Sequence, residues 1–176
     1  MIRRQWTSLV LGLGLALPAA LMGQSPLPAP TVLFAPQMQT ALDTTYGPSE
    51  AAVLQRMVSE RVGEALRGER CEGIAAIEIT LLDARPTHPT DRQMGDNPAL
   101  DRLRTHFAGG AAFSVRLLDA QGRELKSLRY EHYAQDLRLG SRAVDPWADV
   151  RLASEGLGME LARTCRALAR PGPKAS

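Results

Sequence analysis

Most of the residues with which this chain could do chemistry lie between Asp83 and Gly110. His88, Asp91, Asp96, Asp101 and His106 fall there, and two imidazoles with a carboxylate form a donor set suited to zinc. Taken at face value, that set makes the segment from 85 to 106 the centre of a small metal-dependent hydrolase built on His88, Asp91 and His106. The spacing argues against it, because there is no His-Glu-x-x-His and the acids do not follow the EF-hand order with its closing Glu. The plainer reading gives Asp96 or Asn97 the cap of a short helix and leaves both histidines as surface or turn residues. No catalytic residue, metal ligand or cofactor is assigned. Arg85, His88, Asp91, Asp101 and His106 stand as candidate binding residues, since a long polar connection on a small scaffold is where recognition concentrates.

Other chemistries leave weaker traces. Gly-x-Ser-x-Gly, Ser-x-x-Lys and a phosphate-cradling Gly-x-x-x-x-Gly-Lys are all missing from the chain. His132 reads as a hydrogen-bonded sheet histidine. Trp147 and Tyr133 can line a groove, but an aromatic opening an amphipathic helix belongs more naturally to the core.

The elements that must hold this connection follow from periodicity. Thr31 to Ala35 is a short apolar run closed by Pro36, which predicts a first strand. Gly47-Pro48-Ser49-Glu50 opens a helix in which Ala51, Leu54, Val58, Val62, Ala65 and Leu66 share one face, and Gly68 ends it. The period then changes to two, with Ile77, Ile79 and Leu81 alternating in one strand and Phe113, Val115 and Leu117 in another. Asp119-Ala120-Gln121-Gly122 turns the second of these into a strand carrying Leu128, Tyr130 and His132 on one face. Asp145-Pro146 starts a last helix with Val150, Leu157, Leu161, Cys165 and Leu168 inward. Its Gly156 and Gly158 each cost about 1 kcal/mol relative to alanine, so close packing is the expected reason for them. Within the long connection, Asn97-Pro98 predicts a short helix over Leu100, Leu103 and Phe107, and Gly109-Gly110 suits a flexible joint. The fold class is therefore α+β: a two-layer α/β sandwich of about four mainly antiparallel strands with two helices on one face.

The N-terminus predicts export. Arg3 and Arg4 precede Thr7 to Met22, which holds no charged residue and is interrupted by Pro18, so residues 1–23 read as a cleavable signal peptide rather than a membrane span. A proline-rich leader over 24–30, one domain over 31–170 and a trailing tail over 171–176 complete the organisation, and no stable membrane span is expected after cleavage. The chain has 21 Lys+Arg and 19 Asp+Glu, and the signal removes two arginines and no acid, leaving 19 of each. A balanced, interspersed surface gives no basis for nucleic-acid binding.

Cysteine usage agrees with export. Cys71 follows the first helix and Cys165 is near the end of the last, so two helices running down one face of the sheet bring both sulfurs to its bottom edge as a structural disulfide. Closing a loop of that length adds roughly 4 to 5 kcal/mol in the chain-entropy account.

The order Arg85-Pro86-Thr87-His88-Pro89-Thr90, Asn97-Pro98-Ala99-Leu100-Asp101, Gly109-Gly110-Ala111 and Trp147-Ala148-Asp149 resembles a family of small uncharacterised exported proteins of Gram-negative bacteria. The resemblance covers most of the mature chain. It implies a periplasmic α/β domain and brings no agreed activity, ligand or active site. The residues thus favour an exported periplasmic or secreted domain, a non-catalytic binding or accessory module with an envelope protein as partner, over the small metal-dependent hydrolase. Mass analysis of the exported chain is expected to show a mature N-terminus at Leu21 or Gln24; an intact Met1 on exported protein would contradict the signal reading.

Overall fold

The structure is a computed structural model and describes residues 27, 29–135 and 144–169. The signal segment 1–23 and the tail 171–176 lie outside the described residues. The elements run β1 (Thr31–Phe34), α1 (Pro36–Ala41), one π-helical turn (Leu42–Tyr46), α2 (Ser49–Ala65), β2 (Ala76–Arg85), α3 (Asp91–Asp96), β3 (Gly110–Leu118), β4 (Glu124–Tyr133) and α4 (Ala148–Leu168). The sheet has the order β1-β2-β3-β4; β1 is parallel to β2 and the other two ladders are antiparallel. This is an open, mixed four-stranded sheet in an α+β fold, as the alternating periods predict.

Each strand sends one set of side chains inward because its period is two. Ile77, Ile79 and Leu81 of β2 and Phe113, Val115 and Leu117 of β3 are buried, and they share one core with Leu54, Val58 and Val62 of α2 and Leu157 and Leu161 of α4. Full burial of each such side chain contributes about 1.5–3 kcal/mol. The ladder between β2 and β3 shifts between Leu81 and Asp83. That extra residue reverses the alternation, so Ala84 faces the core although it is an odd number of residues from Leu81. The opposite face is polar: Arg116 bonds to Glu78 at 3.0 Å and to Glu124 at 2.9 Å.

The hairpin turn is held by Asp119, whose Oδ1 accepts from the amides of Gln121 at 2.8 Å and Arg123 at 2.9 Å. Gly122 takes the positive φ of 75° that the turn requires. The backbone hydrogen bond from Arg123 is the chief cause that lowers the Asp119 carboxyl below the usual aspartate value.

Two expectations shift. Pro36, expected only to close β1, also opens α1, and the stretch from it to Tyr46 forms α1 and the π turn, with Met38 and Leu42 buried one helical turn apart. The last helix begins at Ala148 rather than at Pro146; Asp145 instead accepts the Trp147 amide at 3.0 Å in the turn before it.

Both glycines of α4 sit where backbones meet. A Cβ on Gly158 would lie 2.5 Å from the Ala65 Cβ and 3.4 Å from the Val62 Cα, so α2 and α4 cross at a contact only glycine fits. A Cβ on Gly156 would overlap the Tyr130 hydroxyl, which places the Tyr130 ring edge on the α4 backbone. Cys71 and Cys165 are disulfide-bonded with their Cα atoms 4.6 Å apart, closing a sequence separation of 94 and tying α4 to the loop that follows α2.

Gly63 of α2 gives the internal comparison, since a Cβ there would have Pro30 Cδ at 3.9 Å as its nearest neighbour. Gly63→Ala is expected to raise stability by up to about 1 kcal/mol through helix propensity. Gly158→Ala is expected to lower it by about 1–2 kcal/mol because overpacking outweighs the same propensity gain. Urea unfolding of both variants checks the pair, and a stabilised Gly158→Ala would show that the helices are not in contact there.

Candidate functional site

The connection between β2 and β3 has a buried inner part and an exposed outer part. Pro86, Thr87, His88, Pro89 and Thr90 are all buried, which is unusual for a loop because its backbone groups must find partners. Thr87 supplies them: its amide donates to the Pro146 carbonyl at 2.6 Å, its carbonyl accepts from the Phe107 amide at 2.8 Å, and its Oγ1 accepts from the Asp149 amide at 3.0 Å. One residue thereby joins the outgoing chain, the returning chain and the first turn of α4. Asp149 is itself 2 % exposed.

Gly109 and Gly110 close this junction. A Cβ on Gly109 would lie 2.6 Å from Thr87 Oγ1 and 2.8 Å from Asp149 Oδ2. Gly110 has φ 144°, and a Cβ there would lie 2.6 Å from the Tyr133 Cα. The expected flexible joint is therefore a close-packed corner in which glycine is required by space.

His88 is 1 % exposed, and its Nδ1 bonds to the Thr105 carbonyl at 3.2 Å. A carbonyl only accepts, so Nδ1 carries a proton in this bond. Nε2 makes no hydrogen bond. The His106 ring lies against it with centroids 4.4 Å apart at 59°. The two histidines thus come together, and the acids do not join them. Asp91, in the first turn of α3, pairs with Arg102. Asp101 accepts from the amides of Leu103 at 2.7 Å and Arg104 at 3.0 Å, which makes it a turn residue. Among the described residues no three His, Cys, Asp or Glu side chains gather in a way that could hold a metal ion.

The short helix of this connection lies earlier than expected. It spans Asp91–Asp96 and is capped by Thr90, which accepts from the Gln93 amide while the Gln93 side chain accepts from the Thr90 amide, a complete capping box. The Thr-x-x-Gln pattern was present in the sequence, masked by the more conspicuous Asn97-Pro98. Asn97 ends α3 and accepts from the Ala99 amide at 3.0 Å, so the segment after it is a series of turns.

Arg85 belongs to a second polar group at the end of β2. Its Nε lies 3.1 Å from Asp83 Oδ2, its guanidinium stands 4.8 Å from the centre of the Tyr133 ring, and the Tyr133 hydroxyl donates to the same Asp83 oxygen at 2.8 Å. Burial first, and then that hydrogen bond, push the Tyr133 phenol well above the usual tyrosine range. Burial and the Asp83 charge raise Tyr46 as well. Both phenols are therefore neutral, and Tyr133 acts as a donor. Tyr46 meets Trp147 edge-on at 5.4 Å, and Trp147 Nε1 donates to Glu50 at 2.7 Å, which satisfies the one polar atom of a core aromatic.

At the disulfide end, a cleft of about 750 Å³ runs between the leader at Leu27 and Pro30 and the turn from Arg67 to Ile74. None of the candidate residues lines it.

No protein-family model, no curated protein and no solved structure matches the chain. Among the described residues, no helix is long and apolar enough to cross a membrane.

Thr87→Val keeps the shape of the side chain and removes the acceptor from the Asp149 amide. It is expected to cost about 1–3 kcal/mol, the range for stranding a buried donor, read as a lowered urea midpoint with an unchanged slope. Retained stability would show that Thr87 does not anchor the connection. The arrangement of His88, His106, Asp91 and Asp101 further predicts that added zinc leaves the melting temperature of the purified protein unchanged, whereas a zinc-dependent rise would restore the metal reading.

Proposed function

We propose that this protein is an exported accessory domain of the bacterial cell envelope, periplasmic or secreted, which binds another envelope protein through the outer part of the connection between β2 and β3. The observation that carries this reading is the division of that connection. Its inner residues are buried and hydrogen-bonded to α4 and to one another, which holds the outer residues in a fixed arrangement while leaving them exposed. Leu103 is 69 % exposed there, and Arg92, Asp96, Arg104 and His106 of the same connection are exposed as well. An ordered connection that exposes an apolar side chain together with charged ones suits recognition of a protein surface. The Cys71–Cys165 disulfide supports an oxidising compartment, and the motif order that resembles exported Gram-negative proteins supports the periplasm.

A photo-crosslinking residue at position 103 is expected to yield one discrete adduct with an envelope protein in intact cells, and the same residue at Val53, on the exposed side of α2, is expected to yield none. Equal labelling from both positions, or no adduct from 103, would overturn the assignment of the outer part of the connection as the binding surface.

A further inference from the structure

The two edges of the sheet are treated differently. At the β1 edge, α2 reaches over and satisfies outward carbonyls: Gln55 Nε2 donates to the Val32 carbonyl at 3.2 Å and Ser59 Oγ to the Pro30 carbonyl at 2.9 Å. At the other edge, β4 is a ten-residue strand that, among the described residues, pairs with β3 alone. It contains no proline, and its one register shift lies at its beginning, opposite Leu117 and Leu118. A long regular edge with unpaired backbone groups on one side is a template for another strand.

We infer that β4 pairs with β4 of a second copy of this chain, antiparallel and about a twofold axis at Tyr130, so that the two sheets become one eight-stranded sheet. Two observations select this occupant. The first is charge. Residues that face one another across an antiparallel pair lie on the same side of the sheet, so a twofold pairing must be centred on a residue. Centred on Tyr130, it sets Arg129 opposite Glu131 of the second copy and Glu131 opposite its Arg129. Leu128 then faces His132, and no like charges meet. A centre on Lys126, Arg129 or Glu131 would place that residue against its own charge, a centre on Ser127 or Leu128 forms no ion pair within the strand, and a centre on Leu125, which pairs Glu124 with Lys126, joins only the first residues of β4. Arg129 and Glu131 are both exposed in the single chain.

The second observation is the helix beside this edge. α4 packs over β3 and β4, and Gly156 marks the side of it that touches Tyr130. Leu152 and Met159 lie four residues before and three after Gly156, hence on that same side, and are 46 % and 56 % exposed. Ala153, Leu157 and Leu161 bury the adjoining side in the core. With the α4 axis midway over the β3–β4 pair, the two α4 helices of the joined sheet would be two strand spacings apart, about 9.6 Å, within the distance of packed helices, about 8–10 Å. Leu152 and Met159 of each copy would then cover those of the other. Strand edge, charge pattern and exposed apolar residues thus make one continuous self-complementary surface. This inference is independent of the envelope partner proposed above.

The test is sedimentation equilibrium of the purified exported chain. The wild type is expected to dimerise reversibly at micromolar concentration. Arg129→Glu or Glu131→Arg alone replaces two attractions with two repulsions and is expected to weaken the dimer about tenfold, whereas the double variant restores the pairs and most of the affinity. Met159→Glu is expected to weaken it independently, and circular dichroism on each variant establishes that the domain is folded. A wild type that stays monomeric to sub-millimolar concentration would overturn the inference, as would a dimer indifferent to the single reversals or one that the double variant fails to recover.

Discussion

The architecture depends on how closely α4 can approach its neighbours. Gly158 lets it lie against α2 at Ala65 and Val62, and Gly156 lets the Tyr130 ring of β4 rest on its backbone. Its last turn is bonded through Cys165 to Cys71, and its first turn donates an amide to Thr87. The same helix therefore fixes the helical layer, the edge of the sheet, the bottom of the domain and the inner part of the long connection. Two glycines inside a 21-residue helix cost propensity of about 1 kcal/mol each, and the contacts they permit explain their presence.

The connection between β2 and β3 shows how a small scaffold can present an exposed surface without leaving it loose. Backbone hydrogen bonds and a capping box order its inner residues, and the corner at Gly109 and Gly110 has no room for a side chain. The polar groups that suggest chemistry are largely committed to this task. Asp101 holds a turn, Asp91 pairs with Arg102, and Thr87 joins three segments. His88 is the exception in kind: a buried imidazole with Nδ1 bonded to a carbonyl, Nε2 making no hydrogen bond, and the ring of His106 packed against it. Among the described residues, the two imidazoles are not part of a group of three or more His, Cys, Asp or Glu that could hold a metal ion.

Periodicity along the chain was enough to place the elements and their inward faces. Alternation in Ile77, Ile79, Leu81 and in Phe113, Val115, Leu117, and the helical recurrence of Leu54, Val58 and Val62, are local signals, because a strand or helix must turn one periodic face to the core whatever lies opposite. The hairpin at Asp119 to Gly122 and the pairing of the only two cysteines were legible for similar reasons. How the long connection is held became visible only once distant segments met. The bond from the Asp149 amide to Thr87 spans 62 residues, the bulge that turns Ala84 inward is specified by the strand beside it, and Gly109 and Gly110 look like a hinge until the side chains around them are placed. Contacts between distant segments leave no period in a chain, so burial of the Pro86–Thr90 segment and the division of labour among its polar residues emerged only when the sheet and α4 came together.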